Sequence, residues 1–396
     1  MTAPLAADVP HYPVDLFTDD VVADPYDHYR AMRDLGPIVW LPAHDVYAVA
    51  RHRDVRAVLD DAVTFRSGLG VGFNDFINEA GRGTTLMSDG DAHRRLRGVI
   101  APPLTPRAIG ELRQDAQAIA DRLVDNLVER GTFDAIADLA QVLPSVWVPD
   151  LLGWPAEGRE RLLEWAGATF DGLGPLNERT IAAGNGIIEM SGFAQQIAAS
   201  DLPAGSMAAG IIAAATRGEI EPSQCPMAII DYLGPSLDTT VSAIGNAIWL
   251  FATNPDQWSR LRDEPGRVRH AFNEVLRVES PISCFSRVTA TPAVIDGAGV
   301  PADARILVSY ASANRDERHW DRAEQFDITR DSADQLAFGH GEHACVGMGL
   351  ARLEGTAILS ALVARVARIE LDGPPQRKLN NLIRSFGSLP VAISAA

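Results

Sequence analysis

The sequence is poor in cysteine, and this scarcity excludes several classes of protein. Only three cysteines, Cys225, Cys284 and Cys345, occur among 396 residues, and they are odd in number and far apart. They form neither a disulfide framework nor the paired CxxC spacing of a structural zinc site. So few cysteines are typical of a protein from a reducing compartment.

Targeting and membrane-spanning segments are also missing from the pattern. The opening residues, MTAPLAADVPHYPVDLF, lack the charged segment and apolar core of a signal peptide. No apolar run approaches the roughly 20 residues needed to cross a bilayer. We therefore expect a cytoplasmic protein that has no membrane partner.

Positive charge is in deficit. The chain has 35 Lys and Arg against 52 Asp and Glu, a formal net charge of -17 at pH 7. This balance argues against nucleic acid or an anionic membrane as a partner. Hydrophobic residues make up 46% of the chain, enough for a large core, and no repeat or linker-like shift in composition divides it. We expect a single domain over residues 1–396.

Hydrophobic periodicity predicts a mainly α fold with small β-sheets. Residues 25–36 and 53–61 have helical spacing, residues 46–50 are strand-like, and residues 91–270 are mostly helical. The glycine-rich residues 65–90 predict a long loop, and loops of that length are usually functional or mobile. Strand-like segments return after residue 285.

The longest apolar run, residues 226–254, predicts a buried central helix because Asp231 and Asp238 lie within it. Pro235 has no N–H to donate, and its ring clashes with the carbonyl one turn earlier. We therefore expect the helix to be opened or kinked within GPSLDTT, residues 234–240.

One cysteine stands in an unusual setting. The stretch AFGHGEHACVGMGLARLE, residues 337–354, places Cys345 in a glycine-rich loop just before an apolar-periodic helix. A helix N-terminus or a nearby cation lowers the pKa of a thiol, and the thiolate binds metals or attacks carbonyls. Gly339, Gly341 and Gly347 would let the backbone pass close to a large flat group. The alternative interpretation is a buried, inert cysteine.

The spacing F-G-x-G-x-H-x-C-x-G in this loop resembles the haem-binding signature of the cytochrome P450 monooxygenases. The matching residues are Phe338, Gly339, Gly341, His343, Cys345 and Gly347. The resemblance covers essentially the whole chain. It implies a triangular helical prism that holds haem b between the central helix and the cysteine-loop helix. It also implies that Cys345 ligates the iron, since a thiolate ligand favours O–O cleavage.

A second motif follows in family order. Glu274 and Arg277 in NEVLR resemble the E-x-x-R of the family, which implies a buried ion pair on one helical face. For a lone match, a solvated surface pair is the alternative. Gln325 stands where relatives often carry Arg, His or Asn, so the third partner of the pair is left open.

The resemblance also implies a set of partners for the haem propionates, which charge-assisted hydrogen bonds hold strongly. By position these partners are His93, Arg97, Arg287 and His343. The neighbouring Arg94 and Arg95 have two interpretations, a solvated basic face or the face that meets an acidic ferredoxin. A ferredoxin with its reductase is the electron donor that the family implies.

Asp238 and Thr239 match the acid–alcohol pair of the family, immediately after the expected break in the central helix. The resemblance implies that this pair delivers protons during oxygen activation, which is general acid work for a positioned carboxyl. The alternative for Thr239 is a hydrogen bond from its hydroxyl back to its own helix.

Candidate pocket residues come from positions that line the substrate side of the haem in this family, with core packing as the alternative for each. They are Thr85, Leu86, Phe170, Leu173, Ser236, Ile282, Phe285 and Phe386. Together they predict a small, apolar cavity suited to an aromatic ring and to O2.

Several stretches resemble one bacterial branch of the family, which O-demethylates para-methoxybenzoates. These are GVGFND (70–75), DAIADLAQVLPSVWVPDLLG (134–153), GPLNE (174–178), SLDTT (236–240) and FNEVLRVESPI (272–282). A 4-methoxybenzoate-type acid is therefore the first expectation for the substrate.

The carboxylate clamp departs from that branch. Ile230 and Asp231 stand where a basic–hydroxyl pair would be expected, and an acid there would repel a benzoate. Arg82 and Thr85 are the candidate anchors for a carboxylate, with Arg66 a weaker one. A neutral para-substituted phenol or alkoxyarene is the competing substrate.

Two functions from other classes compete with a monooxygenase. A cysteine hydrolase would need Cys345 paired with a histidine base, and His343 lies only two residues away. That hypothesis also leaves the E-x-x-R and the acid–alcohol pair unexplained. A non-enzymatic haem sensor would keep the thiolate but gain nothing from Asp238 and Thr239.

Overall fold

The structure, a computed structural model, describes residues 9–396. The α-helices are α1 Asp19–Ala23, α2 Tyr26–Leu35, α3 His52–Asp60, α4 Asp75–Ala80, α5 Gly90–Ile100, α6 Pro106–Glu111, α7 Arg113–Arg130, α8 Val142–Leu152, α9 Leu162–Gly172, α10 Glu178–Ala198, α11 Met207–Thr216, α12 Cys225–Leu233, α13 Asp238–Thr253, α14 Pro255–Asp263, α15 Val268–Val278, α16 Tyr310–Ala313 and α17 Met348–Arg365. The strands are β1 Val39–Leu41, β2 Val46–Val49, β3 Phe65–Arg66, β4 Thr132–Asp134, β5 Cys284–Thr289, β6 Ala293–Ile295, β7 Ala298–Val300, β8 Arg305–Ser309, β9 Val366–Leu371, β10 Gln376–Lys378, β11 Ser385–Ser388 and β12 Pro390–Ala395. The predicted mainly α fold with small sheets is confirmed.

The largest sheet has the order β1-β2-β8-β5-β3, with β2 parallel to β8 and the other pairs antiparallel. Strand β5 is buried along its whole length, which suits its aromatic and β-branched residues. Side chains two apart on a strand share a face. Phe285 and Arg287 therefore point to the same side of β5, while Ser286 points away.

A helical core supports the cysteine loop. Helices α7, α13, α15 and α17 pack together around a continuous set of buried apolar side chains. Gly355 of α17 lies so close to α15 that a Cβ there would sit 2.1 Å from Cζ of Phe272. Only glycine fits at this crossing, so the position of α17, and of the loop before it, is fixed against α15.

The short predicted elements are confirmed within a residue or two. The helix predicted over residues 25–36 is α2, the strand over residues 46–50 is β2, and the helix over residues 53–61 is α3. The long apolar run, residues 226–254, forms two helices, α12 and α13. They are separated at Gly234 to Leu237, so the expected opening near Pro235 is confirmed.

The prediction that residues 65–90 form one long loop is wrong in part, because the segment contains β3 and α4. Asn74 caps α4 by accepting a hydrogen bond from the Ile77 amide (3.0 Å). Its side-chain amide also donates to the carbonyls of Gly172 (2.8 Å) and Gly174 (2.7 Å). The Phe73 amide donates to the Leu173 carbonyl at 2.8 Å. These bonds hold the segment against the end of α9.

The expectation that no apolar run approaches membrane-spanning length is wrong, because Ala135–Leu152 is long and apolar enough to cross a membrane by length and composition alone. It comprises a π-helical segment, Ala135–Ala140, followed by α8. Of this run, 56% is buried inside the fold, and its first part packs against α13. The run therefore serves as part of the core in this structure.

Candidate active site

The cysteine loop is shaped by backbone contacts. The Cys345 amide donates to the Phe338 carbonyl at 2.8 Å, which closes the loop just before α17. Gly339 and Gly341 have φ of +68° and +69°, where a side chain is strained. A Cβ on Gly341 would lie 2.5 Å from the Leu59 carbonyl oxygen. The glycines therefore let the loop dock on the end of α3 while presenting Cys345.

Cys345 lies inside the fold. Its side chain still has accessible surface, because it lines an internal cavity. Burial raises the pKa of its thiol, and this outweighs the Gly347 amide and the Arg97 guanidinium, which both lower the pKa. The expected lowering of the thiol pKa is therefore wrong for the protein alone. A coordinated metal ion would itself deprotonate the thiol.

The cavity, of about 310 Å³, gathers side chains from widely separated parts of the chain. Most of the predicted site residues line it: Thr85, Leu86, His93, Arg97, Phe170, Leu173, Ser236, Thr239, Ile282, Phe285, Arg287, Phe338, Gly339, His343, Cys345 and Gly347. Four of the seven methionines also line it, namely Met87, Met190, Met207 and Met227. Flexible thioethers suit an irregular apolar wall, but their spacing in the sequence does not reveal that they share one.

Four basic side chains meet at the cavity wall as the sequence predicts. Both ring nitrogens of His93 and Nε2 of His343 are buried without a hydrogen-bond partner in the described part of the chain. The two ring centroids lie 4.2 Å apart. Nδ1 of His93 lies 2.9 Å from Oε1 of Glu342, but the angle does not make a hydrogen bond.

The two arginines of this group are held by carbonyls. Arg97 donates through Nη2 to the Ala344 carbonyl (2.6 Å), and Arg287 donates through Nη1 to the Ser286 carbonyl (2.8 Å). Burial, with a smaller contribution from the neighbouring His343, lowers the pKa of His93. Unpartnered imidazoles beside two guanidinium groups fit an anionic ligand. The propionates of haem b match this set.

Two predicted pocket residues lie elsewhere, and these predictions are wrong. Arg82 is exposed and forms an ion pair with Glu79 one turn earlier, so its side chain does not line the cavity. Phe386 is buried in the helical core, where its ring centroid lies 5.7 Å from that of Trp249. The Arg377 guanidinium lies 3.8 Å from the Phe386 ring centroid. The weaker candidate, Arg66, is exposed on β3.

The opened turn between α12 and α13 brings Ser236 and Thr239 to the cavity. The hydroxyl of Thr239 donates to the Pro235 carbonyl at 2.8 Å. This is the local bond to a carbonyl four residues earlier that stood as the alternative interpretation, although Pro235 lies in the opened turn before α13. The bond uses the hydroxyl as a donor and leaves its lone pairs free.

Asp238 does not line the cavity, although its neighbour Thr239 does. Its side chain is buried, with Oδ1 3.6 Å from Nζ of Lys378 and Oδ2 without a hydrogen-bond partner in the described residues. Burial raises the pKa of Asp238, and the Lys378 ammonium lowers it by less. The carboxyl therefore retains its proton to higher pH than an exposed aspartate does.

The E-x-x-R motif forms a buried bidentate pair. Nε and Nη2 of Arg277 donate to the two carboxylate oxygens of Glu274, each at 2.8 Å, and both side chains are fully buried. Two further side chains reach Glu274: Nε of Arg330 lies 3.2 Å from its Oε1, and the buried Ser332 hydroxyl donates to its Oε2. Gln325 contributes only its backbone carbonyl, which accepts from Arg277 at 2.9 Å. Arg330 was missed because it lies 56 residues from Glu274 along the chain.

A hydrogen-bonded aspartate and threonine occupy another part of the cavity wall. Oδ2 of Asp231 accepts the Thr85 amide at 2.7 Å and the Thr85 hydroxyl at 2.6 Å. Burial raises the pKa of Asp231 to about 6, although the hydrogen bonds from Thr85 lower it. Both residues were noted in the sequence, but their pairing joins positions 146 residues apart.

A cysteine at a cavity wall that also carries two histidines and two arginines fits a haem held through a thiolate. Comparison with known proteins agrees. The family model for Cytochrome P450 matches residues 213–388. Cytochrome p450 CYP199A2 of Rhodopseudomonas palustris is 41% identical over 395 residues, covering 98% of this chain and 96% of that protein.

More distant relatives match over nearly the whole chain. Linalool 8-monooxygenase of Pseudomonas putida is 27% identical, covering 96% of this chain and 97% of that protein. The crystal structure of CalO2 matches with a TM-score of 0.84 at 28% identity, covering 96% of this chain and 99% of that chain. The chain belongs to the cytochrome P450 family. It is a monooxygenase that binds haem b, acts on a small substrate with O2 and receives electrons from redox partners.

Proposed function

We propose that this P450 oxidises a small, neutral, para-substituted aromatic, most simply by O-demethylation of an alkoxyarene or phenol ether. The observation that carries the proposal is the composition of the cavity wall. Phe170, Leu173, Ile282 and Phe285 line the cavity that Cys345 also faces. Flat aromatic and branched apolar side chains favour an aromatic ligand, which gains by burying its own apolar surface.

The charges at the cavity favour a neutral substrate over a benzoate. The predicted carboxylate anchor, Arg82, points to the surface and is paired with Glu79. The basic side chains that do reach the wall, His93, Arg97, Arg287 and His343, are those that fit the haem propionates. Asp231 adds a negative charge, which would repel a carboxylate. A 4-methoxybenzoate-type acid is therefore the second candidate for the substrate.

The haem, when bound through Cys345, supplies oxygen activation and transfer of one oxygen atom to a C–H bond. Hydroxylation of an O-methyl group gives a hemiacetal, which breaks into formaldehyde and the free hydroxyl. The second oxygen atom of O2 leaves as water and consumes two electrons and two protons. The chain's own part is to exclude water, to orient the ring and to supply those protons.

Proton supply is assigned in this proposal to Thr239 and Asp238. The Thr239 hydroxyl lies at the cavity and keeps free lone pairs, so it can accept one hydrogen bond while donating another. Asp238 lies one residue earlier, away from the cavity, with Lys378 beside it. A carboxyl whose pKa is raised by burial is suited to pass protons near neutral pH.

Electron supply from a ferredoxin and its reductase is the remaining part of the proposal. Arg94 and Arg95 are exposed on α5, the helix that also carries His93 and Arg97. Arg94 already pairs with Asp91, whereas Arg95 forms no ion pair in the described residues. A basic face on this helix would attract an acidic carrier close to the haem edge.

The test uses purified haem-loaded protein and a matched panel of 4-methoxyphenol, 4-methylanisole and 4-methoxybenzoate. A carbon monoxide difference spectrum first establishes thiolate ligation. Spin-state titration, and formaldehyde release with ferredoxin, reductase and NADH, then rank the three ligands. We expect the neutral compounds to bind and turn over, with the benzoate at least about tenfold weaker because a desolvated like charge is costly. Tighter binding of the benzoate would favour the acid instead.

A further inference from the structure

We propose that Asp231, held in place by Thr85, accepts a hydrogen bond from a phenolic hydroxyl, so that para-substituted phenols are the preferred substrates. This inference rests on the proposed function and narrows it from neutral aromatics to one class. Neutral alkoxyarenes without a hydroxyl would enter the same cavity but would lack this contact.

The two side chains form a preorganised acceptor. Asp231 lies on α12, and Thr85 lies in the segment between α4 and α5. The Thr85 amide and hydroxyl both donate to Oδ2, and both residues line the cavity. Tyr232, the next residue on α12, donates its hydroxyl to the Ile100 carbonyl at 2.7 Å, which fixes α12 against α5. The carboxylate therefore has a defined position before any ligand arrives.

The number of acceptor positions matches a single donor. An ionised carboxylate accepts about four hydrogen bonds through its two oxygens. Thr85 supplies two, and the Leu86 amide, which also lowers the pKa of Asp231, supplies at most one more. At least one hydrogen-bond acceptor position of Asp231 is therefore left for a ligand in the cavity. A phenol has one O–H donor to place there, whereas an ammonium has three and would leave at least one unsatisfied.

In the described part of the chain, Asp231 has no ion-pair partner. Among residues 9–396, no basic side chain lies within 4.0 Å of Asp231, and the charge that acts on it is that of Arg97. Arg97 is itself one of the groups that fit the propionates. An enclosed carboxylate without an ion-pair partner gains from a ligand that donates to it, because buried polar groups are costly when left unsatisfied.

The opposite interpretation is that Asp231 only anchors the segment around Thr85. An anchor needs an acceptor for one amide and one hydroxyl, which a neutral amide oxygen also provides. The variant Asp231→Asn therefore keeps the acceptor for Thr85 but removes the charge. It separates the role in holding the fold from the role in binding the phenol.

The experiment measures spin-state dissociation constants on the haem-loaded protein with 4-ethylphenol, its methyl ether 4-ethylanisole, 4-ethylbenzoate and 4-ethylbenzylamine. We expect the phenol to bind wild type about 10- to 100-fold more tightly than its ether, the range of a hydrogen bond to a charged acceptor. In Asp231→Asn this preference should fall by about tenfold, with the ether changed by less than about threefold. Asp201→Asn is the matched control, because Asp201 is exposed and does not line the cavity.

The outcomes are distinct. Equal binding of phenol and ether in wild type overturns the inference and leaves the proposed function standing, and this comparison needs no variant. If Asp231→Asn weakens the binding of phenol and ether equally, Asp231 serves only to hold the fold. Tighter binding of the amine or the benzoate replaces the phenol as the ligand and overturns the inference. Failure of all four ligands to shift a spectrum with normal thiolate ligation overturns the proposed function itself.

Discussion

Nζ of Lys378 lies 3.6 Å from Oδ1 of Asp238, and this pair joins strand β10 to the first residue of α13. The contact places a partly exposed ammonium beside a buried carboxyl. Burial raises the pKa of Asp238 and Lys378 opposes that rise. Lys378 therefore lowers the pH at which the buried Asp238 loses its proton, although burial has the larger effect.

We expect Lys378→Met to raise the pKa of Asp238 further, because the carboxylate loses the ammonium that lowers its pKa. The limb of the pH profile of kcat that reports Asp238 should then move to higher pH. Lys378→Arg, which keeps the charge, should move it little. Asp238→Asn should lower kcat by about 100-fold and abolish the limb. Superimposable profiles for wild type and Lys378→Met would contradict the role of Asp238.

Thr239→Ala is expected to keep haem and substrate binding but to divert electrons into hydrogen peroxide. The variant removes the hydroxyl at the cavity, so protons arrive without a positioned donor. Product formed per NADH should fall several-fold, as expected when general acid catalysis is lost. Thr239→Ser, which retains the hydroxyl and its bond to Pro235, is the control. Unchanged coupling in Thr239→Ala would remove this residue from proton supply.

Binding of phenols should depend on pH through Asp231, whose pKa is raised to about 6. Above pH 6 the ionised carboxylate is the stronger acceptor, so phenol affinity should be highest there and fall as the pH drops through 6. Arg97 is the charged group that acts on Asp231 in the fold. Spin-state titrations from pH 5 to pH 8 test this, and Asp231→Asn should give a flat profile. A wild-type profile equally flat would count against Asp231 as the acceptor.

The ion pair of Glu274 gives a graded test of stability. Arg277→Met leaves the fully buried Glu274 without its bidentate partner, and we expect a loss of about 3–5 kcal/mol in the free energy of unfolding. Arg330→Met removes the 3.2 Å contact with Glu274 and the hydrogen bond from Nη2 to the Arg322 carbonyl, and should cost about 1–2 kcal/mol. Urea unfolding, followed by the haem band and by circular dichroism, measures both. Equal losses would mean that Arg330 is as central as Arg277.

Glu354 on α17 is buried, and neither carboxylate oxygen has a hydrogen-bond partner in the described residues. Burial raises its pKa well above the usual value. The fold therefore favours the protonated form over the ionised one. Below the unfolded pKa this costs nothing, and as the pH rises towards the folded pKa, stability falls by about 1.4 kcal/mol per unit.

We expect Glu354→Gln to remove that dependence on pH. The thermal midpoint of the haem-loaded variant should exceed that of wild type by more at pH 7.5 than at pH 5. Glu111→Gln, a change at an exposed glutamate, is the control and should show no such trend. A constant difference between variant and wild type across this range would show that Glu354 is ionised in the fold.

Local spacing explains which parts of the site the sequence could predict. Cys345 and its glycines lie within ten residues, and Glu274 and Arg277 lie one helical turn apart, so short-range geometry decides their arrangement. Pro235 acts through its own missing N–H, and the opened turn follows. In each case the interaction is encoded within a few residues of chain.

The failures depend on the direction in which a side chain points after the chain has folded. Arg82 and Thr85 are three residues apart, yet one faces solvent and the other faces the cavity. Phe386 was assigned to the cavity by position in the family, but β11 turns its ring into the helical core. The helix α4 was missed although Asn74 followed by Asp75 is a typical helix start. The many glycines around it favoured a loop.

The hydrogen bonds that tie residues 73 and 74 to the end of α9 have a consequence for kinetics. The Phe73 amide donates to the Leu173 carbonyl, and the Asn74 side chain donates to the carbonyls of Gly172 and Gly174 on either side of it. Leu173 itself lines the cavity. A ligand that passes between these two segments can do so only while all three hydrogen bonds are broken. Its exchange rate is therefore limited by how seldom that open state is populated. These hydrogen bonds should therefore affect the residence time of the ligand more than its affinity.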